Sequence, residues 1–338
     1  VTPSGEGLIN DTYLVATSGN NPTYVLQRIN HNVFKDVEGM QRNIEVVTAH
    51  IRGKLLADGK EDVERRVLDF VKVKGSSKTY YFDGENYWRL SRYIKDTVTL
   101  SEVTPITANA AGREFGRFQR LLADIDVPLV ESIPDFHNME FRLKQLQEAV
   151  KTDAVGRVKE VEDLLGEISK RAEWMTEPER MYREGRLPKR ICHCDTKVNN
   201  MLFNENGEVL CVIDLDTVMP SFVFSDFGDF LRTGACTTAE DEPKLDKIDF
   251  DMDIFKAFAE GYLSEGRKFL TEAEITWLPD AVALFPYMQA VRFLTDYING
   301  DTYYKIKYPE HNLVRTKAQL RLLNVIEKRL PEIRENMG

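Results

Sequence analysis

The residues best suited to chemistry lie in one short stretch, between His193 and Asp214. Asp195 and Asp214 offer carboxylate oxygens, Asn200 offers an amide oxygen and Lys197 offers a cation. Such oxygen groups suit Mg²⁺, which typically binds one or two carboxylates together with the phosphates of a substrate. The stretch therefore predicts a site for phosphoryl transfer.

The sequence around these residues predicts how they meet in space. Residues 201–203 and 209–213 are apolar and strand-like, and the segment 204–207 between them ends in Asn-Gly, a strong signal for a hairpin turn. Such a hairpin places Asn200, just before the first strand, level with Asp214, just after the second. We therefore expect the carboxylates and the amide to share one edge of the structure.

A glycine-containing segment lies near the N-terminus, at residues 5–10, directly before a predicted strand. Two glycines two positions apart let backbone amides approach a phosphate without hindrance from Cβ. Taken alone, the pattern is weak and favours an ordinary turn, and it does not fit a dinucleotide-binding fingerprint because a strand rather than a helix follows. Its position upstream of the hairpin favours nucleotide contacts from Gly5, Gly7 and Asn10.

Composition and charge exclude several classes of protein. The chain has 338 residues, 42% hydrophobic and 30% charged, which indicates one large or two moderate globular domains. A net charge of −10 without a basic block argues against nucleic-acid binding. Apolar runs are shorter than the roughly 20 residues needed to cross a bilayer, and no signal peptide is visible. The chain begins Val-Thr-Pro without Met, which leaves open that N-terminal residues are missing.

The four cysteines are too few for a disulfide framework. Cys192 and Cys194 form a C-x-C pair, which lacks the usual spacing of zinc ligands. Reduced thiols indicate a cytoplasmic protein. We expect no nucleic-acid or membrane partner, and a monomer or weak homodimer.

The periodicity of apolar residues predicts an α+β protein of two lobes. Residues 1–94 form a small lobe with an antiparallel sheet of about five strands, at 13–17, 24–29, 67–73, 79–83 and 87–93, and one main helix at 39–56. Residues 95–338 form a larger, mostly helical lobe. Its predicted helices are 106–123, 138–151, 155–175, 253–265, 271–284, 287–298 and 316–329.

The order of these features resembles that of eukaryotic-type kinases. His193–Asn200 fits the pattern H-x-D-x-K-x-x-N, and Ile213–Asp216 stands in the place of D-F-G. The I-D-x-D form resembles the aminoglycoside phosphotransferase and choline kinase branch, which phosphorylates small molecules, and implies a bilobal protein-kinase-like fold. Within that branch the chain is most similar to bacterial N-acetylhexosamine 1-kinases. The segments that carry this similarity are 7–13, 25–34, 134–138, 195–200 and 292–297.

The resemblance implies roles for the catalytic loop. Asp195 is expected to be the base for the attacking hydroxyl, and Lys197 is expected to stabilise charge on the transferring phosphoryl group. A loop-capping Asp195 and a surface Lys197 are the structural alternatives. His193, Asp226 and Asp229 are expected to be scaffold residues.

The resemblance also implies a site for ATP and Mg²⁺. Asn200 and Asp214 are the expected Mg²⁺ ligands, with Asp216 as an auxiliary ligand. The remaining expected nucleotide contacts are Arg28, Glu45, Tyr93 and Ile94. Arg28 takes the place of the strand-three lysine of kinases, a departure that still permits phosphate binding. Glu45 on the following helix is its expected partner, unless it belongs to a solvated helix face, and adenine is expected near Tyr93 and Ile94.

A small-molecule sugar is the expected acceptor. Arg292, Asp296 and Tyr297 on a late helix, with Phe136 and His137, are of the types that bind a pyranose. The resemblance implies transfer of the γ-phosphate of ATP to the anomeric 1-hydroxyl of N-acetylglucosamine or N-acetylgalactosamine. The alternatives are a choline, ethanolamine, homoserine or aminoglycoside kinase, and a nucleotide-binding pseudokinase. Arg292 argues mildly against a cationic acceptor.

Overall fold

The N-terminal part of the protein is built on an antiparallel sheet. A computed structural model describes residues 1–4, 9–19 and 23–337, and within them this sheet has five strands in the order β1-β2-β3-β5-β4. The strands are β1 (Thr2–Pro3), β2 (Asp11–Val15), β3 (Tyr24–Ile29), β4 (Tyr80–Phe82) and β5 (Tyr87–Arg92). The expected glycine contacts, Gly5 and Gly7, lie outside the described residues.

Helix α1 (Val37–Ala57) packs one apolar stripe into the protein. Asp36 begins the helix by accepting a hydrogen bond from the Gly39 N–H at 2.8 Å. The apolar side chains then recur every three or four positions, the spacing that places them on one helix face. The buried members of this stripe include Met40, Ile44, Val47, Ile51 and Leu55.

The C-terminal part is mostly helical. The remaining helices are α2 (Val63–Arg66), α3 (Pro105–Leu122), α4 (Met139–Thr152), α5 (Glu162–Ser169), α6 (Ala172–Met175), α7 (Glu177–Arg183), α8 (Phe224–Gly234), α9 (Met252–Gly266), α10 (Glu272–Ile298) and α11 (His311–Met337). Two small antiparallel sheets accompany them, β6 (Arg190–Cys192) with β9 (Met219–Ser221), and β7 (Met201–Phe203) with β8 (Val209–Val212). Within the described ranges no helix is long and apolar enough to span a membrane.

Helices α3 and α9 touch through their backbones. A Cβ on Gly112 would lie 2.2 Å from the Phe258 carbonyl oxygen, and a Cβ on Gly261 would lie 2.1 Å from the Asn109 carbonyl oxygen. Both distances are far below van der Waals contact, so the crossing requires glycine at each position. The buried apolar residues continue from the sheet through this crossing into the last helix as one core.

The predicted fold class is confirmed, and three predicted elements are wrong. Residues 67–73 form no strand beyond a single bridge between Phe70 and Ser91, while β1 supplies the fifth strand. The predicted helix at 155–175 is broken into short pieces, because Gly156 has a positive φ of 73° and the chain turns at Arg171. The predicted helices at 271–284 and 287–298 are one helix, α10, which continues through Pro279 and Pro286.

Candidate active site

The β7–β8 hairpin forms as its sequence predicts. Met201 pairs with Val212, and the turn closes through Gly207, whose φ is 77°. Just beyond the strands, the Ile213 N–H donates to the Asn200 carbonyl at 2.9 Å. This bond fixes Asn200 beside the residue that precedes Asp214, so the two expected metal ligands lie at one edge of the hairpin.

Asp195 lies on the loop before the hairpin, in contact with Lys197 and Asn200. The Lys197 Nζ is 2.6 Å from Asp195 Oδ1, and the Asn200 Nδ2 donates to Asp195 Oδ2 at 3.2 Å and to the Asp195 carbonyl at 2.8 Å. Burial alone would raise the pKa of Asp195, but the charge and hydrogen bond of Lys197, the charge of His193 and the hydrogen bond from Asn200 together lower it. The carboxylate is therefore held ionised in a half-buried setting.

His193 connects the catalytic loop to the end of the hairpin. Its Nδ1 accepts from the Asp195 N–H at 3.3 Å, and its Nε2 faces the Ile213 carbonyl at 2.9 Å. Because a carbonyl only accepts, these partners assign the proton to Nε2. The ring is fully buried and serves as a scaffold.

Asp226 on α8 binds the backbone of the loop that carries Asp195. Its carboxylate accepts from the backbone N–H groups of His193 at 3.0 Å and Cys194 at 2.8 Å, and from Gln119 Nε2 at 2.8 Å. Cys194 has a positive φ of 63°, which is uncommon for a residue with a side chain. The buried carboxylate therefore stabilises the turn that presents Asp195.

Asp214 is a carboxyl group that solvent can reach, crowded by other acids. Although the residue is exposed, the surrounding protein displaces part of the water near its carboxyl group, and this partial desolvation, followed by the charges of Asp216 and Asp195, raises the pKa of Asp214 to about 6. In the described ranges no cluster of three or more His, Cys, Asp or Glu could hold a metal ion. Asn200 and Asp214 are the side chains that could hold a cation here, with its other oxygens supplied by a ligand, the usual arrangement for Mg²⁺.

Asp216 joins the two parts of the protein. Asn10 Nδ2 donates to it at 2.6 Å, and Arg89 Nη1 on β5 pairs with it at 2.5 Å. Arg89 Nε also donates to the Gln27 side chain at 2.9 Å, and Asn10 Oδ1 accepts from the Asn30 N–H at 2.9 Å. Both oxygens of Asp216 thus have partners from the sheet, which places Asn10 at the site.

The expected pair between Arg28 and Glu45 does not form. Arg28 is exposed and pairs with Asp11, and Glu45 accepts from the Thr79 hydroxyl at 2.5 Å. Side chains alternate between the faces of a strand, so Arg28 lies on the face opposite its neighbour Gln27. Sequence analysis missed Arg89, for which the available signal is an arginine in the middle of a strand, directly after two aromatic residues.

The connector after β5 contributes fewer free backbone groups than expected. The Tyr93 N–H donates to the Thr23 carbonyl at 3.0 Å, and the Ile94 carbonyl accepts from the Thr97 hydroxyl at 2.9 Å. The Ile94 side chain is buried, whereas Tyr93 is exposed. An adenine at this position would therefore meet the Tyr93 ring and the backbone groups that remain.

The structure brings three of the expected acceptor residues together. His137 stacks on Phe136 with ring centroids 4.3 Å apart, and the Arg292 guanidinium lies 5.1 Å from the Phe136 ring and 5.7 Å from the Tyr304 ring. Burial, followed by the charges of Arg292 and Arg142, lowers the pKa of His137 well below its usual value. The ring is therefore neutral, and its Nδ1 lies 3.0 Å from the Ser225 hydroxyl.

Asp296 and Tyr297 do not join this group. Asp296 accepts from the backbone N–H groups of residues 302, 303 and 304 at 2.8–2.9 Å and from Asn312 Nδ2 at 2.9 Å, so it anchors the loop after α10. Tyr297 donates to Glu160 at 2.9 Å and stacks with Arg157, 4.3 Å from its ring. Both side chains are buried in protein contacts.

The pKa of Lys197 is also influenced by a second, buried ion pair. Asp229 on α8 pairs with Arg232 at 3.1 Å, and Arg232 pairs with Glu240 at 2.5 Å. Burial alone would lower the pKa of Lys197, but the charges of Asp195 and Asp229 raise it. The lysine is therefore charged beside Asp195.

Comparison with known proteins assigns the chain to an enzyme class. A model of the phosphotransferase enzyme family matches residues 1–262, which is well over half of the chain. The chain therefore belongs to the phosphotransferase enzyme family, as its motifs predict.

Solved structures share the fold at low sequence identity. An aminoglycoside phosphotransferase from Alicyclobacillus acidocaldarius is 11% identical, with a TM-score of 0.63 over 100% of this chain and 92% of that chain. The ethanolamine kinase of Plasmodium vivax is 13% identical, with a TM-score of 0.55 over 93% and 80%. A spectinomycin phosphotransferase, solved with ADP and spectinomycin, is 12% identical, with a TM-score of 0.55 over 97% and 92%. At these identities the likeness shows the fold alone.

Proposed function

We propose that the protein is a kinase that transfers the γ-phosphoryl group of ATP to the anomeric 1-hydroxyl of an N-acetylhexosamine. The observation that carries the proposal is the position of the Asp195 carboxylate, 2.6 Å from Lys197 Nζ and bonded to Asn200, beside the hairpin that ends in Asp214. In this proposal residues 1–94 bind the nucleotide, and residues 95–338 supply the catalytic groups and the acceptor pocket.

Asp195 is proposed to orient the attacking hydroxyl and accept its proton. Its lowered pKa keeps it ionised at neutral pH, as a proton acceptor must be. Lys197 would stabilise charge on the transferring phosphoryl group. Because an anomeric hydroxyl is relatively acidic for an alcohol, positioning and electrostatics are expected to provide most of the acceleration.

Asn200 and Asp214 are proposed to hold Mg²⁺. The crowding of Asp214 by Asp216 and Asp195 supports this, because a cation would relieve the repulsion that raises the pKa of Asp214. When bound, Mg²⁺ would neutralise charge on the nucleotide phosphates. Asp216, whose oxygens both contact the sheet, would support this site through its backbone position and its charge.

Arg89 is the cation that we assign to the nucleotide phosphates, in place of Arg28. Arg89 is buried and reaches Asp216, whereas Arg28 is exposed and pairs with Asp11 on the other sheet face. A guanidinium can bind phosphate oxygens bidentately. The adenine is proposed to lie near Tyr93 and Ile94, and the ATP supply suits the cytoplasmic location that the sequence predicts.

The acceptor is proposed to lie near Phe136, His137 and Arg292. A stacked pair of neutral rings offers the apolar faces that a pyranose can cover, and the guanidinium offers donors for its hydroxyl or acetamido oxygens. A positive charge at this position disfavours cationic acceptors such as choline or an aminoglycoside. The choice of an N-acetylhexosamine rests on the sequence resemblance.

A ³¹P NMR experiment tests the proposal. The protein is incubated with Mg-ATP and a panel of acceptors that includes N-acetylglucosamine, N-acetylgalactosamine, choline, ethanolamine, homoserine and an aminoglycoside. We expect a product phosphorus coupled to an anomeric proton. A 6-phosphate would contradict the regiochemistry, phosphorylation of a cationic acceptor would contradict the substrate, and no turnover with any acceptor would favour a pseudokinase.

A further inference from the structure

A cavity of about 560 Å³ lies in the C-terminal part, between α4, α10 and the loop that follows α10. Its wall includes Arg142 and Lys144 from α4, Arg292 and Thr295 from α10, and Tyr303 from the loop. Its volume lies within the range of sites for small organic ligands. The proposed catalytic and metal residues do not belong to its lining.

The two arginines of this cavity have no carboxylate partner among the described residues. Arg142 donates through Nε and Nη2 to the Phe136 carbonyl at 3.1 and 2.8 Å, and through Nη1 to Gln145 at 2.8 Å. Arg292 donates to Gln289 at 3.1 Å, and its remaining contacts are with aromatic rings.

Three buried or half-buried arginines elsewhere in the described structure illustrate the ion pairs that can offset this charge. Arg171 pairs with Glu327 at 2.5 Å, Arg190 pairs with Glu274 at 2.5 Å, and Arg232 pairs with Asp229 and Glu240. A carboxylate partner is the usual way in which a protein offsets the cost of burying a charge. In the part of the chain that the structure describes, Arg142 and Arg292 lack such a partner, and they share one cavity.

The acidic groups near the cavity do not neutralise the arginines. The oxygens of Asp296 are occupied by three backbone N–H groups and by Asn312. Glu148 also belongs to the lining, but it is exposed to solvent and forms no ion pair in the described structure. Burial, followed by the charge of Arg292, lowers the pKa of Arg142 to about 10, as expected for two cations that share a partly dehydrated space.

We propose that this cavity binds a small organic molecule through an oxyanion, a phosphoryl or carboxylate group held between Arg142 and Arg292. The planar guanidinium groups match such oxyanions and would form charge-assisted hydrogen bonds with them. The rings of Tyr303 and Tyr304 would contact the body of the ligand. Because Arg292 also belongs to the proposed acceptor site, this inference rests on the proposed function and adds to it Arg142 and an oxyanion, which a neutral acceptor does not supply.

Calorimetric titration of the nucleotide-free protein, residues 1–338, with inorganic phosphate tests the proposal. We expect saturable binding to one site, weakened about tenfold or more in Arg142→Gln, the effect of losing a charged hydrogen-bonding partner. The matched control is Arg183→Gln, because Arg183 is exposed, pairs with Glu140 and lies outside the cavity. That control should bind phosphate as the wild type does.

A second variant protects the test against misfolding. Arg142 supports the backbone at Phe136, so its loss could disturb the loop. Thr295→Glu keeps both arginines and places a carboxylate in the cavity near Arg292, one helical turn along α10, where it would compete with a bound anion. Thermal unfolding without phosphate checks that each variant folds. We expect Thr295→Glu to lose phosphate binding.

Two outcomes would overturn the proposal. The first is no saturable phosphate binding, and the second is binding that survives Arg142→Gln and Thr295→Glu but is lost in Lys197→Gln, which would place the anion at the catalytic loop. Repeating the titration with saturating N-acetylglucosamine identifies the source of the oxyanion. If N-acetylglucosamine weakens phosphate binding, the oxyanion is a substituent carried by the acceptor itself. If phosphate binding is unchanged, the oxyanion belongs to a separate anionic ligand. Because the titration requires no turnover, its failure is distinguishable from failure of the proposed kinase activity.

Discussion

At the scale of single residues, the surroundings of two aspartates shift their pKa values in opposite directions. Lys197 lowers the pKa of Asp195 despite its burial, whereas removal from water, together with Asp216 and Asp195, raises the pKa of Asp214 to about 6. Pairs of titratable groups separated in this way are typical of sites that need two different roles. The separation agrees with a proposed base at Asp195 and a proposed metal ligand at Asp214.

The raised pKa of Asp214 predicts pH-dependent Mg²⁺ binding. The ion binds the carboxylate, so its affinity should rise with pH up to about 6 and then level off. Between pH 6 and pH 5 the ionised fraction of a group with this pKa falls about fivefold, and the affinity should fall with it. The measurement is a Mg²⁺ titration of the ADP-bound protein at several pH values.

The control for this titration is Asp214→Asn, because ADP itself titrates near the same pH.

Without added Mg²⁺, Asp214 should also lower the free energy of unfolding as pH rises from about 4 to about 6, since the folded protein retains a proton that the unfolded chain loses. A pH dependence that is the same in the wild type and in Asp214→Asn would exclude this assignment.

At the scale of elements, the crossing of α3 and α9 supports the catalytic loop. Gln119, near the end of α3, donates to Asp226, which in turn holds the loop of Asp195. The position of α3 is set by the glycine contacts at Gly112 and Gly261, where the two backbones meet. Displacing α3 should therefore disturb both stability and the site.

Gly112→Ala should lower the free energy of unfolding by about 1–3 kcal/mol or more, because the added Cβ would lie 2.2 Å from a backbone oxygen. Gly53→Ala is the matched control, since Gly53 lies in helix α1 with nothing within 4 Å of an added Cβ. That control should be neutral or should stabilise by up to about 1 kcal/mol. Urea denaturation of both variants gives the comparison, and equal effects would contradict the close-packed crossing.

Elements with a local cause were predictable from the sequence. The hairpin forms because the glycine of Asn-Gly supplies the positive φ that its turn requires, and α10 begins directly after Thr271 because Thr271 and Glu274 form a capping box. The continuation of α10 through Pro279 was not predictable, because burial on nearly every side compensates for the lost hydrogen bond. Tertiary packing therefore keeps α10 continuous at a proline where the local sequence predicts a break.

At the scale of the whole molecule, a buried polar network joins the five-stranded sheet to the segment that follows the β7–β8 hairpin. Asp216 contacts Asn10 and Arg89, and Arg89 continues to Gln27 on β3. The sequence could place Asp195, Asn200 and Asp214, which are close along the chain. It could not place Arg89, because the pairing of β5 with β3, and the face on which each side chain lies, depend on strand register.

Arg89→Gln should lower the free energy of unfolding by about 3–5 kcal/mol, because it leaves the buried Asp216 without its charged partner. It should also weaken ADP binding if Arg89 contacts the phosphates. Arg28→Gln serves as the control, since Arg28 is an exposed arginine on the same sheet. That variant should change neither quantity measurably in urea denaturation and ADP calorimetry. If Arg28→Gln lowers the free energy of unfolding and weakens ADP binding more than Arg89→Gln does, Arg28 rather than Arg89 is the phosphate-binding arginine, as the sequence predicted.

The central claim is that the Asp195 loop and the hairpin after it carry phosphoryl transfer. The most direct test is the turnover number of Asp195→Asn with Mg-ATP and the best acceptor, measured together with the dissociation constant of ADP. The claim predicts a loss of turnover of at least 10²- to 10⁴-fold, about the size of a general-base contribution, with ADP binding largely unchanged. Asp126→Asn, at an exposed site, is the control. Full activity in Asp195→Asn would contradict the claim.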